Sequence, residues 1–457
     1  MKQGAQKMKI RLGFIPSHRL MFKGSEPFAK ELRDRTLKML SGIDWLEVVA
    51  PDEKLTGNGL VQKDEDAEKV ISLFREADVD GIIIEAVDFG DEISSALISA
   101  ALSKPILLFA TKEWPFTEDG RRVSDSFCGT LSIASALYRR GIHFIWGGIV
   151  FPEDESFLKS VKDFARTCAI VKGFLGAKIG LIGPRPERFE TCVFDETALI
   201  KAFKQRVIPV SLIEAKALSE SLANDPKIND IVQSIKNGAN TKSVDEDTLF
   251  KMAKLEYSLR FLANKWKLDA MGIQCWEPIF RAFGVATCYV NGRLTDQGIM
   301  TSCEADVLGA LTMLIQYLAS LKEVSPHFID WTIKHQEKEN VFLAWHCGNA
   351  PPSLAKEKPS IVDSGMGNFQ LKPGIVTINR LAEYNGKFKM LITTGEVLES
   401  HQVMQGTWAW VKVQDLEKLY EGLLKNGFTH HASMIHGDYT KPIENACEIL
   451  GIEVVKL

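Results

Sequence analysis

Three spaced segments of the chain each end an apolar run with a side chain able to bind a metal ion. They are Thr301-Ser302-Cys303-Glu304-Ala305-Asp306, Phe328-Ile329-Asp330-Trp331 and Leu343-Ala344-Trp345-His346, and a fourth, Phe428-Thr429-His430-His431, follows much later. Carboxylates with imidazole are the mixed oxygen and nitrogen donors that suit a hard or borderline divalent cation. Two carboxylates beside such an ion can also move protons. Each residue has an ordinary alternative. Thr301-x-x-Glu304 has the form of a capping box, with Glu304 returning to the Thr301 amide; at the positive end of a helix dipole the same carboxylate stays ionised and can hold a cation. Asp306 reads as a solvated first-turn acid. Asp330, between Ile329 and Trp331, needs a partner if it is buried. His346 closes a strand-like run, where a structural histidine is common. His430 and His431 are neighbours, so in extended chain only one of them faces a given ion, and both His430 and the later His436 read as bystanders.

Aromatic residues accompany these groups. Trp276, Trp331 and Trp345 directly adjoin Glu277, Asp330 and His346. Trp276 and Glu277 follow a predicted strand, and in open α/β sheets ligands sit beyond the carboxyl ends of strands. Indole faces stack well on the C–H faces of sugars, although core packing would use them equally. Trp276, Glu277 and Trp345 are the expected substrate contacts.

These residues need elements to position them. Apolar runs at 10–16, 46–50, 81–86 and 105–110 read as buried strands, and 64–74, acidic at its start and then apolar at helical spacing, reads as a helix between two of them. That rhythm predicts βαβ units and a parallel sheet covered on both faces. It resumes with strands at 177–183, 207–213 and 268–275, helical stretches near 155–175 and 243–266, and a helix over 305–321. Later, 375–379, 388–393 and 407–413 read as strands joined by short polar turns, with Asn385-Gly386 a strong hairpin signal. A helix over 442–450 and a strand over 452–455 close the chain. The predicted fold is α/β: two tandem doubly wound parallel-sheet domains, 1–170 and 171–327, then a mainly antiparallel, barrel-like β domain, 328–457.

A chain of 457 residues exceeds one hydrophobic core. Its 45% hydrophobic and 25% charged residues are ordinary for a globular protein. A net charge of −4 without a dense Lys/Arg stripe argues against a nucleic-acid surface. No apolar run reaches the roughly 18 residues of a membrane span. The stretch 1–8 is polar and unlike a secretory signal, with Met8 a second start or 1–7 a polar extension, so a cytoplasmic protein is expected. The eight cysteines form no CxxC pair, which excludes a standard zinc ribbon and leaves free thiols as the expectation. No phosphate loop, dinucleotide fingerprint or GxSxG elbow occurs, and nothing local marks Cys347 as an activated nucleophile.

At Cys303-Glu304-Ala305-Asp306, Asp330, His346 and Gly427-Phe428-Thr429-His430-His431 the chain resembles the L-fucose isomerase and L-arabinose isomerase superfamily. The first segment is similar to that family's acidic motif opening a helix, Asp330 falls at the spacing of its second acidic ligand, and His346 matches a metal-site histidine of the arabinose branch. The resemblance covers the chain in domain order. It implies a Mn²⁺-dependent aldose–ketose isomerase (with Co²⁺ or Mg²⁺ as other candidate ions) acting on a small sugar. Glu304 and Asp330 would bind the ion and shuttle a proton through a cis-enediol, His431 would be a ligand, and His346 a ligand or substrate contact. An aspartate at 330 looks like the fucose branch, and the chain is shorter than typical members of either branch, so the resemblance names no particular sugar. Family members are oligomers, which implies a homo-oligomer, a trimer or hexamer. Two other readings stand beside it: a non-catalytic sugar-binding or sensing protein, and another metal-assisted enediolate enzyme, an aldolase or epimerase.

Overall fold

The computed structural model describes residues 8–19, 24–222 and 225–457; the expected polar extension at 1–7 lies outside them. The chain divides into two compact units, Met1–Lys172 and Gly173–Leu457.

In the first unit, β1 (Ile10–Ser17), β2 (Leu46–Val49), β3 (Gly81–Ala86), β4 (Ile106–Thr111) and β5 (Ile145–Val150) form a parallel sheet in the order β2-β1-β3-β4-β5. Every residue of β3 and β4 is buried, as expected of parallel strands covered on both faces. The helix Asp64–Glu76 opens with three acids, which suit the positive end of its dipole, and buries Ala67, Val70 and Phe74 on one stripe.

The second unit begins with a parallel sheet in the order β7-β6-β8-β9, made of β6 (Lys178–Ile182), β7 (Arg206–Val210), β8 (Ala270–Ile273) and β9 (Met300–Ser302). The chain then builds β10 (His327–Lys334), β11 (Val341–His346), β12 (Ser360–Val362), β13 (Met366–Gln370), β14 (Gly374–Tyr384), β15 (Lys387–Val397), β16 (Thr407–Lys412), β17 (His431–His436) and β18 (Glu453–Lys456). The run β16-β11-β10-β17-β14-β15 is antiparallel throughout and closes on itself through β15–β16 pairing, so it is a six-stranded barrel without free edges. The β14–β15 hairpin turns at Asn385 and Gly386, with φ of 54° and 77°. Those positive values are what a two-residue primed turn requires, and Asn-Gly tolerates them.

The helix Val307–Ala319 joins sheet to barrel. All its residues but Tyr317 are buried, which follows from a sequence that is apolar on every face. Gln316 is its polar fastening: Nε2 donates to the Ser433 carbonyl at 2.9 Å and to Asn379 Oδ1 at 2.9 Å, and Oε1 accepts from Ser433 Oγ at 2.6 Å. One apolar core takes in Ile182 and Met271 of the sheet together with Ile329, Phe342, Ile378 and Ala432 of the barrel. Among the described residues, no helix is long and apolar enough to cross a membrane.

Candidate functional site

The loop after β9 carries Glu304. Glu304 and Ala305 are both left-handed, with φ of 55° and 57°, a conformation costing roughly 1–2 kcal/mol for each non-glycine residue. The loop is held there by hydrogen bonds. Ala305 N–H donates to the Ile273 carbonyl at 3.0 Å, Asp306 N–H to that of Cys303 at 3.0 Å, and Ser302 Oγ to that of Asp306 at 2.7 Å. Gly272 on β8 permits the approach, because a Cβ there would stand 2.8 Å from the Ala305 carbonyl carbon.

Two expectations are corrected here. The helix starts at Val307 rather than 305, and its cap is Asp306, whose Oδ1 accepts from Gly309 N–H at 2.8 Å. No Thr301/Glu304 capping box forms, so the Glu304 carboxylate is not spent on backbone. Asp306 is also not solvated: it is 1% exposed and paired with Arg380 of β14, Nη1–Oδ2 at 2.5 Å and Nη2–Oδ1 at 3.2 Å. Burial pushes its carboxyl up, and Arg380 and His431 overcome that and hold it well below the usual carboxylate range.

The barrel supplies the other groups. Asp330 on β10 is the cross-strand partner of His431, the first residue of β17, and paired residues share a face. His346 ends β11. His431 Nε2 lies 3.5 Å from Glu304 Oε2 and 3.8 Å from Asp330 Oδ1, and His346 Nε2 lies 3.6 Å from Glu304 Oε2. Burial pushes the Glu304 carboxyl up, but His346, His431 and the Trp276 N–H prevail and hold it at about 2. The two imidazoles are anchored differently. His431 Nδ1 is 2.8 Å from Asp306 Oδ2, and an ionised carboxylate only accepts, so Nδ1 carries a proton and Nε2 is the nitrogen left to face Glu304 and Asp330. His346 Nδ1 instead accepts from Cys347 N–H at 2.9 Å, so its ring proton sits on Nε2, facing Glu304.

Glu304 Oε2, Asp330 Oδ1 and His346 Nε2 are buried with no hydrogen-bond partner among the described residues. Orphaned buried carboxylate oxygens are costly unless a cation compensates them. Oxygen and nitrogen donors about 2.0–2.6 Å from an ion stand roughly 3–3.7 Å from one another. His431 Nε2 stands at close to that spacing from each of Glu304 Oε2, at 3.5 Å, and Asp330 Oδ1, at 3.8 Å, and carboxylate oxygens with an imidazole nitrogen are donors that suit a hard divalent ion.

The expected substrate contacts divide. Trp276, left-handed at φ 62°, donates from Nε1 to Glu304 Oε1 at 3.2 Å and belongs to the cluster. Glu277 lies on the exposed face of the helix Trp276–Phe283, paired with Arg281, and the fold does not bring it to the cluster. Trp345 pairs across the sheet with Asp330, but its Nε1 donates to the Gln405 carbonyl and its side chain packs against the cluster of Val341, Leu343, Trp408 and Trp410. Of the residues read as bystanders, His430 has a ring nitrogen within 4.8 Å of donor atoms of Asp330 and His431, whereas His436 is bonded to the Lys372 carbonyl at 2.8 Å.

Sequence reasoning missed Arg380, Cys275 and Phe189. Cys275 Sγ donates to Glu304 Oε1 at 3.5 Å, and Phe189 packs edge-on against Trp276 at 5.3 Å between ring centres. Arg380 had a signal: an arginine within the apolar run Ile378-Asn379-Arg380-Leu381-Ala382 must be buried, and a buried guanidinium needs a carboxylate.

Comparison with known proteins matches residues 13–175 to the N-terminal domain of fucose/sulfoquinovose isomerase and residues 345–457 to the C-terminal domain of L-fucose isomerase. The chain is 26% identical over 394 residues to a sulfoquinovose isomerase of Alkalicoccus urumqiensis, covering 83% of this chain and 86% of that one. It is 24% identical over 437 residues to one of Priestia aryabhattai, covering 93% and 94%. A solved periplasmic solute-binding protein of Actinobacillus succinogenes 130z with bound D-allose aligns at 9% identity over 68% of this chain and 92% of that one, with a TM-score of 0.17 that carries no structural likeness. Two domains of one family in their family order, with relatives that run nearly the length of the chain, identify it as a fucose isomerase-like protein, an aldose–ketose isomerase.

Proposed function

We propose that the chain is a divalent-metal-dependent isomerase in which Glu304, Asp330 and His431 hold the ion, Mn²⁺ being the best match, and Glu304 and Asp330 move the proton. The observation that carries this is the convergence of the unpartnered Glu304 Oε2 and Asp330 Oδ1 on His431 Nε2. A bound divalent ion would polarise the substrate carbonyl and hold two adjacent sugar oxygens. His346 is better suited to donate from Nε2–H to a substrate oxygen than to bind the ion, because a ligating Nε2 would need its proton moved to Nδ1, against Cys347 N–H.

The chemistry is a proton transfer within one substrate. A carboxylate takes the C2 proton as O1 gains one, giving a cis-enediol; C1 then receives a proton as O2 loses one, and the ketose forms with no atom gained or lost. Trp276 and Cys275 engage Glu304 Oε1 and so leave Oε2 as the working oxygen. Asp330, with its side chain 23% exposed, is the more accessible carboxylate. His430 and Trp276 stand at the edge of the site as substrate contacts.

The named relatives make a six-carbon sugar with a modified C6, sulfoquinovose first and a 6-deoxyhexose second, the substrates to try. The test is proton NMR in D₂O with Mn²⁺ and a panel of sulfoquinovose, L-fucose and L-arabinose. A ketose product with deuterium introduced at the exchanging carbon, abolished by chelation and restored by Mn²⁺, is expected. Turnover indifferent to chelation would overturn the metal reading, and no turnover across the panel would overturn the substrate class.

A further inference from the structure

We propose that Asp306, fixed by Arg380, is a positioning residue that sets the tautomer and aim of His431. The inference rests on the metal reading above. Asp306 Oδ1 receives Gly309 N–H at 2.8 Å and Arg380 Nη2 at 3.2 Å; Oδ2 receives Arg380 Nη1 at 2.5 Å and His431 Nδ1 at 2.8 Å. A carboxylate has about four lone-pair sites, and four donors occupy them. Asp306 therefore has nothing left for a metal ion, although it lies two residues from Glu304 and shares a cluster with Cys192 and His431. Cys192 Sγ is 4.0 Å from the same Nδ1, a much weaker partner than the carboxylate.

Three consequences follow from this geometry. The bond at Nδ1 turns the other ring nitrogen, Nε2, toward Glu304 and Asp330, the arrangement by which an outer carboxylate orients a ligating histidine. The aim is fixed at two points, because Asp306 caps the helix whose Gln316 is bonded to Ser433, two residues along β17 from His431. Charge is also divided usefully. Arg380 pairs with Asp306, so the carboxylates left facing Nε2 are those of Glu304 and Asp330, together the charge complement of one divalent ion. Without Arg380, Asp306 would be a buried anion competing with Glu304 and Asp330 for that ion.

The test has two arms. In metal-free wild-type protein labelled with ¹⁵N-histidine, NMR is expected to show His431 protonated at Nδ1; an Nε2–H tautomer would overturn the proposal. Mn²⁺ titration of Asp306→Asn is expected to show affinity about 10- to 100-fold weaker than wild type, with turnover recovering as Mn²⁺ is raised. Affinity equal to wild type in a folded Asp306→Asn would overturn it. If that variant does not fold, Arg380→Lys, which keeps the charge but loses the bidentate fork, is expected to weaken Mn²⁺ in the same direction, and unchanged affinity would again overturn it. A wild type with the Nδ1–H tautomer that binds no divalent ion would bring down the metal reading and the purpose of the relay with it, a result distinct from the others.

Discussion

Glu85 allows a quantitative test in the first unit. It lies on β3, wholly buried, with Oε1 accepting from Thr36 Oγ1 at 3.1 Å and Oε2 without a partner among the described residues. Burial raises its carboxyl from the ordinary 4.5 to about 8, and Thr36 and Arg35 pull back only part of that. Between about pH 4.5 and pH 8 the unfolded chain has released this proton while the folded chain keeps it, so the unfolded state binds fewer protons and stability falls as pH rises. The slope is about 1.4 kcal/mol per pH unit, and the whole window is worth at most about 5 kcal/mol. Glu85→Gln keeps a neutral side chain of the same shape with an acceptor for Thr36. Its stability should be near wild type at pH 5 and should lack this loss by pH 8. Urea unfolding from pH 5 to pH 9, with pulse proteolysis to follow peptides of the first unit, reads the difference directly. Parallel profiles for the two proteins across pH 5–8 would refute the reasoning.

Other outcomes follow from the site. Glu304→Gln should lower kcat by about 10²–10⁴-fold, the usual worth of a positioned acid–base group, and weaken Mn²⁺ binding, measured by turnover and metal titration. His346→Gln should lower kcat while leaving Mn²⁺ affinity near wild type; a large loss of affinity would make His346 a ligand. Gly272→Ala touches no donor, yet its Cβ would meet the Ala305 backbone at 2.8 Å. Overpacking of this kind costs about 1–3 kcal/mol, and displacing the Glu304 loop should reduce both thermal stability and Mn²⁺ affinity. Phe127, Leu131 and Tyr138 on one helix and Trp146 and Ile149 on the edge strand β5 are all exposed, apolar side chains that a homo-oligomer would cover. Light scattering should give a mass of three or six chains, and Leu131→Asp with Trp146→Asp should lower it.

Local pattern alone determined much of this protein. Continuous apolar runs marked the parallel strands, and Asn385-Gly386 placed the β14–β15 turn, because a primed turn demands positive φ at both positions. The residue types at 304, 330, 346 and 431 also showed which chemistry was available. Tertiary structure decided where those residues sit and what each of them meets. The capping box and the Asp306 cap are equally good local solutions for a helix start. What separates them is Ala305 N–H bonding to Ile273 on β8 and Arg380 arriving from β14, neither of which a short sequence window contains. Trp276 and Glu277 are adjacent, yet a left-handed turn at Trp276 sends the indole to Glu304 and leaves Glu277 in solvent. The tautomers of His346 and His431 likewise depend on what each Nδ1 meets, a backbone N–H in one case and a distant carboxylate in the other. Periodicity and turn chemistry are local and readable from sequence, whereas burial, charge pairing and proton placement depend on partners that only the folded chain brings together.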